Sequence, residues 1–335
     1  MIDKNICYQS IMIIINMFRV LMEIIICCCN GIIKKISNKI IFAPIKMHVL
    51  EFQKEHHSYL SAFNTMHDKF IMNTVLTRDG IKLDCCLFNS YKCPSYDDVI
   101  ILYNHGNRGC IESVSQTSTI KFLSKYGSIF IYDYRGYGKS EGNPSDDGCF
   151  EDVVSVWYHL INIMKINPMN IIIFGNSMGT SVACKLMEHL VMNNNQHPKY
   201  IILQNGFFSI RKIATDRFPL IGKFVSSQFM TNEFINNIDI KTNSVEFIFF
   251  HAIDDNMINY DHSIRLSNII QNCKKHVFIL NGVHDYIYYD DNIHAKMGEI
   301  ISNIMRSMHV NYVQYDRLFS NMCEYIDKIQ YSKNN

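Results

Sequence analysis

The stretch Ile171-Ile172-Ile173-Phe174-Gly175-Asn176-Ser177-Met178-Gly179-Thr180 decides how the chain is read. An apolar run of strand length stops at a glycine and a helix-forming run begins at Met178, so the serine falls on a strand-to-helix turn. A G-x-S-x-G segment has a mechanical reason in that place. The turn strains the serine backbone and exposes its hydroxyl, while Gly175 and Gly179 let strand and helix approach without side-chain clashes. By composition the pattern would occur roughly 0.05 times in such a chain, so coincidence is a weak explanation. Ser177 is the candidate nucleophile.

Outward from this turn, short β-rich runs alternate with helical patterns. Strands are predicted near 70–76, 81–88, 99–103, 128–132, 170–174, 200–203, 246–250 and 276–280, and helices near 117–125, 150–164, 178–192, 262–272 and 293–308. That alternation specifies an α/β fold with a mostly parallel central sheet of about eight strands flanked by helices. The first two strands read as an antiparallel hairpin turning at Arg78-Asp79-Gly80. Residues 206–243 are too long for a direct connection and mix aromatics, among them Phe207, Phe208, Phe218, Phe229 and Phe234, with turn residues. Two readings stay open: a lid whose aromatics line an acyl groove, or a small packed helical insert.

A serine hydroxyl is a poor nucleophile until a base takes its proton, and a carboxylate must orient that base. His284, in Asn281-Gly282-Val283-His284-Asp285, follows an apolar strand where a loop can reach back to the serine. His262, His276, His294 and His309 fall inside predicted helices or a strand and read as packed or surface residues. The acid belongs to the segment leaving the 246–250 strand, where Asp254 and Asp255 stand side by side. Acyl transfer also needs donors for the tetrahedral oxyanion. The Met178 amide is the expected first donor, and the Asn107 amide, in His105-Gly106-Asn107, is the second. Gly106 permits a tight backbone there, and His105 is expected to brace the loop. The glycine-rich segment from Asp133 to Ser140 lacks phosphate-loop spacing and reads as a structural turn.

Composition bounds the alternatives. Among 335 residues, 48% are hydrophobic and 32 basic side chains balance 31 acidic ones, which excludes a disordered chain and leaves no basic excess for nucleic acid. Twelve cysteines contain no CxxC pair and no Cys/His spacing suited to zinc, so neither metal nor cofactor is called for. The 33 asparagines offer one glycosylation triplet, Asn143-Pro144-Ser145, and its proline spoils it. This favours a catalytic domain on the cytoplasmic side.

Residues 11–33 form an apolar run about as long as a membrane-spanning helix, interrupted by Arg19 and Glu23. A true span and an interfacial or acylated helix both fit, with Lys34, Lys35 and Lys39 following directly. Three adjacent cysteines, Cys27, Cys28 and Cys29, beside that helix and a lysine cluster are candidate S-acylation sites. The expected organisation is a membrane-associating segment 1–45, a linker 46–69, a catalytic domain 70–308 with a lid at 206–243, and a helical extension 309–335.

Taken in order, five motifs resemble the α/β-hydrolase superfamily: HGN from His105, YDYRGYGKS from Tyr132, GNSMGT from Gly175, HAIDDNMI from His251 and GVHD from Gly282. The resemblance covers residues 70–305 and implies the α/β-hydrolase fold with a Ser177, Asp255, His284 triad, since the second aspartate of the acid segment is the triad member in that branch. Ala252 stands where the family usually carries glycine. Within the superfamily the chain is similar to membrane-tethered depalmitoylases, whose S-acylated cysteine cluster precedes a basic-apolar stretch ending in proline. Cys27-Cys28-Cys29, residues 31–36 and Pro44 follow that order. The resemblance implies a monomeric, membrane-associated serine hydrolase that forms an acyl-enzyme and removes palmitate from S-acylated proteins as a thioesterase. A carboxylesterase or monoacylglycerol-type lipase acting on a lipid ester is the alternative, ahead of a non-catalytic scaffold.

Overall fold

Isoleucine, leucine and phenylalanine fill the central strands on both faces, the pattern of a sheet covered by helices on two sides. The computed structural model describes residues 42, 44, 70–88, 99–115, 117–219, 225 and 228–307. The apolar N-terminal run, Cys27, Cys28 and Cys29, the linker and the C-terminal extension lie outside the described residues. Among the described residues no helix is long and apolar enough to cross a membrane.

β1 (Phe70–Leu76) and β2 (Lys82–Phe88) form an antiparallel hairpin, and β2 pairs antiparallel with β4 (Ser128–Tyr132). The remaining strands are β3 (Ile100–Asn104), β5 (Ile171–Asn176), β6 (Tyr200–Gln204), β7 (Glu246–Ala252) and β8 (Lys274–Leu280). They complete an eight-stranded sheet in the order β1-β2-β4-β3-β5-β6-β7-β8, parallel from β4 onward. The chain runs from β3 outward to β4 and returns across it to β5. The strand order therefore reverses at β3, and the crevice beyond the carboxyl ends of β3 and β5 is the place where such sheets bind ligands. A two-stranded hairpin, β9 (Gly282–Val283) and β10 (Tyr286–Ile287), stands beyond β8.

Successive side chains of one strand divide between two cores. Ile171 and Ile173 face one cluster with α3 (Asp146–Tyr158), α4 (Met178–Met192), α6 (Thr231–Lys241) and α7 (Asp261–Ile269), while Ile172 and Phe174 face the other. The second cluster is closed by the short α1 (Ile111–Val114), α2 (Ser118–Leu123) and α8 (Asp291–Ser307). Ile293, Met297, Ile300, Ile301 and Ile304 of α8 recur at helical spacing and are all buried. α3 begins ahead of the predicted 150 because the Ser145 side chain caps it, accepting from the Gly148 amide, with Asp146 and Asp147 in the first turn.

The 206–243 stretch departs from a lid of that length. It contains α5 (Ile210–Arg217) and α6, and α6 buries Ile235 and Ile238 in the main core, which makes it part of the helical layer. Any lid is confined to the residues before it. The aromatics expected along an acyl groove are used in packing instead: Phe207 and Phe229 are buried, and Phe208 and Phe234 are half-buried against the core. Phe218 alone among these five is exposed, at 60%. Phe42, assigned by sequence to the N-terminal membrane segment, is buried edge-on to Phe229 with ring centroids 5.7 Å apart.

Candidate active site

β5 ends at Asn176 and α4 starts at Met178, leaving Ser177 alone on the turn with φ of +51°. A left-handed backbone costs a side-chain-bearing residue about 1–2 kcal/mol, so the surroundings must hold it. The Ser177 amide donates to the Gln204 carbonyl at 2.9 Å, and its carbonyl accepts from the Thr180 amide at 3.0 Å and the Thr180 hydroxyl at 2.6 Å. A Cβ on Gly175 would collide with the backbone of Gly179, and one on Gly179 would collide with the Asn104 carbonyl. The helix can lie against the ends of β5 and β3 only with glycine at both positions.

Because β7 and β8 run parallel to β5, their carboxyl ends deliver the next two loops to the same edge. The Ser177 hydroxyl donates to His284 Nε2 at 3.1 Å, and His284 Nδ1 donates to Asp255 Oδ2 at 2.6 Å. The proton's direction follows from Asp255. Burial alone would raise its pKa, but the His251 side chain beside it and hydrogen bonds from His284 and the Ile258 amide outweigh burial and hold it well below the usual carboxylate range. An ionised carboxylate only accepts, so Nδ1 carries the proton and Nε2 is free to accept from serine. Asp255 Oδ1 takes the amides of Met257 at 2.9 Å and Ile258 at 2.8 Å. Asp254 is exposed, and its amide donates to the Gly282 carbonyl. The two adjacent aspartates are thus separated by geometry, with Asp255 facing the histidine.

The loop after β3 passes against the nucleophile: a Cβ on Gly106 would lie 3.4 Å from that of Ser177. Three tyrosines of the segment 132–137 hold this loop. Tyr132 donates to Asn104 Oδ1 at 2.8 Å, Tyr134 to the His105 carbonyl at 3.0 Å, and Tyr137 to Asn107 Oδ1 at 2.6 Å. His105 is fully buried between Tyr134 and Tyr137, with its Nδ1 donating to the Gly106 carbonyl at 2.7 Å. Burial lowers its pKa to about 4 and pushes the carboxyl of Asp133, 3.9 Å away, well above the carboxylate range. His105 is therefore neutral near pH 7, and the two side chains pack beneath the loop without forming an ion pair. Met178 is buried at the first position of α4.

Sequence reasoning missed His251, Asn205 and the tyrosine brace. His251 Nε2 donates to the Ile258 carbonyl at 2.9 Å and stands 3.5 Å from Asp255 Oδ2, while Nδ1 accepts from the Ser263 hydroxyl at 2.7 Å. Its signal was its place four residues before Asp255 in one segment. A groove of about 560 Å³ opens beside Asp255 between the acid loop, α5 and α7, with Ile213, Arg217, Met257, His262 and Arg265 along it. A cleft of about 1000 Å³ lies at the opposite, amino-terminal edge of the sheet, around Lys199, Glu246 and Lys274. Among the described residues no His/Cys/Asp/Glu group could hold a metal.

The solved α/β hydrolase from Vibrio vulnificus superposes on 82% of this chain and 93% of its own, with a TM-score of 0.57 and 18% identity. The chain has the α/β-hydrolase fold. Residues 100–246 match the family model described as serine aminopeptidase, S33. An uncharacterized protein, R595, of Acanthamoeba polyphaga mimivirus is 28% identical over 277 residues, which are 76% of this chain and 90% of that one. The lysophosphatidylserine lipase ABHD12 of Danio rerio is 27% identical over 236 residues, 63% of this chain and 59% of that protein.

Proposed function

We propose that the protein is a serine hydrolase that cleaves acyl esters through an acyl-enzyme on Ser177. The observation that carries this is the unbroken relay from the Ser177 hydroxyl through His284 to Asp255, at 3.1 and 2.6 Å, on a strained turn. The Ser177 oxygen attacks the substrate carbonyl as His284 Nε2 takes its proton. The amides of Met178 and Asn107 receive the oxyanion, a contribution of about 10²–10³ in rate for one such donor. Collapse expels the leaving group, which takes the proton from His284. Water then attacks the acyl-enzyme and gives a proton to the same nitrogen, and collapse releases the acid as the Ser177 oxygen takes that proton back. Asp255 stays ionised throughout and holds the imidazole in the tautomer that each step needs.

The substrate is the ester of a single-chain lipid, handled at a membrane surface. The likeness to a lysophosphatidylserine lipase supports this class, and the groove beside Asp255, part apolar and part charged, suits an amphipathic ester. Thioesters of S-acylated proteins are the second reading, favoured by Cys27, Cys28 and Cys29 in their basic-apolar setting. Membranes carrying the full chain, or its Ser177→Ala variant, decide between them when given a lysophospholipid and an S-palmitoylated peptide in parallel. Serine-dependent release from the lysophospholipid alone is expected. Release from the peptide alone would transfer the assignment to protein depalmitoylation.

A further inference from the structure

We infer that Asn205 is the positioning residue that sets the acid and the base of the triad at their working distance, an inference resting on the serine hydrolase reading. Asn205 directly follows β6, is fully buried, and has φ of +49°. Asparagine is among the few residues with a side chain that enter this region readily. Its amide donates to the Phe250 carbonyl at 2.9 Å. Its Oδ1 accepts from the Ala252 amide at 2.9 Å, and its Nδ2 donates to the His284 carbonyl at 2.8 Å. The carboxamide can face only one way, because the Ala252 N–H donates and the His284 carbonyl accepts.

These three bonds join the two loops that matter. The β6–β7 ladder ends at the pair Gln204–Phe250, and the Asn205 side chain continues it to Ala252, the last residue of β7. The Asp255 amide donates back to the Ala252 carbonyl at 3.3 Å, so the turn presenting the acid starts where Asn205 holds it. Besides the side-chain bond between Asp255 and His284, two backbone bonds tie the loops, from the Ile253 amide to Leu280 and from the Asp254 amide to Gly282, and both end before His284. Among the described residues' hydrogen bonds, the one from Asn205 holds the backbone of His284 itself. Asn205 touches no reacting atom. It acts through Asp255 and His284, and a buried carboxamide with both ends used is a rigid spacer between them.

No close substitute meets all three demands. Aspartate keeps the acceptor for Ala252 but sets an oxygen against the His284 carbonyl. Glycine keeps the left-handed backbone and removes both side-chain bonds. The test is steady-state hydrolysis of p-nitrophenyl butyrate by the full chain carrying Asn205→Gly or Asn205→Asp, with circular dichroism to establish folding. Both variants are expected to lose about 10- to 100-fold in kcat, the cost of a small misplacement of reacting groups, with KM within about twofold of wild type. Folded variants with unchanged kcat, or with KM raised at constant kcat, would overturn the inference. If Asn205→Gly does not fold, Asn205→Asp decides alone. Hydrogen exchange read by mass spectrometry across residues 281–287 gives an answer independent of turnover. Exchange faster in Asn205→Asp supports the clamp and unchanged exchange refutes it, even if the wild type cleaves no ester and the serine hydrolase reading itself falls.

Discussion

Ser177 and His284 were legible in the sequence because each chemical role demands a residue type in a defined setting, a serine between glycines at a strand end and a histidine in the loop after the last strand. The acid was not legible from the chain alone. Asp254 and Asp255 are chemically identical neighbours, and family spacing was needed to choose between them. The structure separates them by direction: Asp255 turns inward to two backbone amides and His284, and Asp254 faces solvent. Asp255→Asn is therefore expected to lower kcat by about 10⁴, because an amide can stabilise the wrong imidazole tautomer, while Asp254→Asn stays within about twofold. Equal losses in esterase assays of the two variants would contradict the assignment. Asn205 escaped notice because its partners are backbone groups that no spacing rule encodes, and His251 because its place four residues before Asp255 was its one signal.

At the scale of elements, the central strands and α4 were readable because continuous apolar runs and helical periodicity leave few alternatives. The helices α5 and α6 were not, since the 206–243 stretch mixes aromatics and turn residues with weak periodicity, and tertiary packing decides which parts become helical. The segment from Asp133 to Ser140 read as a turn, yet two of its tyrosines, together with Tyr132 at the end of β4, hold the loop after β3. Close approach of elements makes a sharp prediction about two helical glycines. Gly179→Ala forces a methyl into the Asn104 carbonyl at the α4–β3 contact, and about 1–3 kcal/mol of stability is expected to be lost, together with most activity. Gly298→Ala on α8 meets nothing within 4 Å and is expected to gain about 0.5–1 kcal/mol through helix propensity. Urea unfolding of both variants measures the pair, and a stabilised Gly179→Ala would refute the packing account.

At the scale of the whole molecule, parallel strands bring residues far apart in sequence to one edge of the sheet. Ser177 and His284 are separated by 107 positions and meet there because β5 and β8 point the same way. The fold class was visible in the alternation of strands and helices, and the reversal of strand order at β3 places the loop of Gly106 beside Ser177. Substrate was far less visible, because the acyl-binding surface depends on loops whose side chains either pack inward or face solvent for tertiary reasons. The chemistry is tested most directly by treating the full chain with a fluorophosphonate and locating the adduct by mass spectrometry. A single adduct on the Ser177 peptide, formed by wild type and suppressed at least about tenfold by His284→Ala, is the result the account predicts. Absence of an adduct, or labelling that survives loss of His284 undiminished, would contradict it.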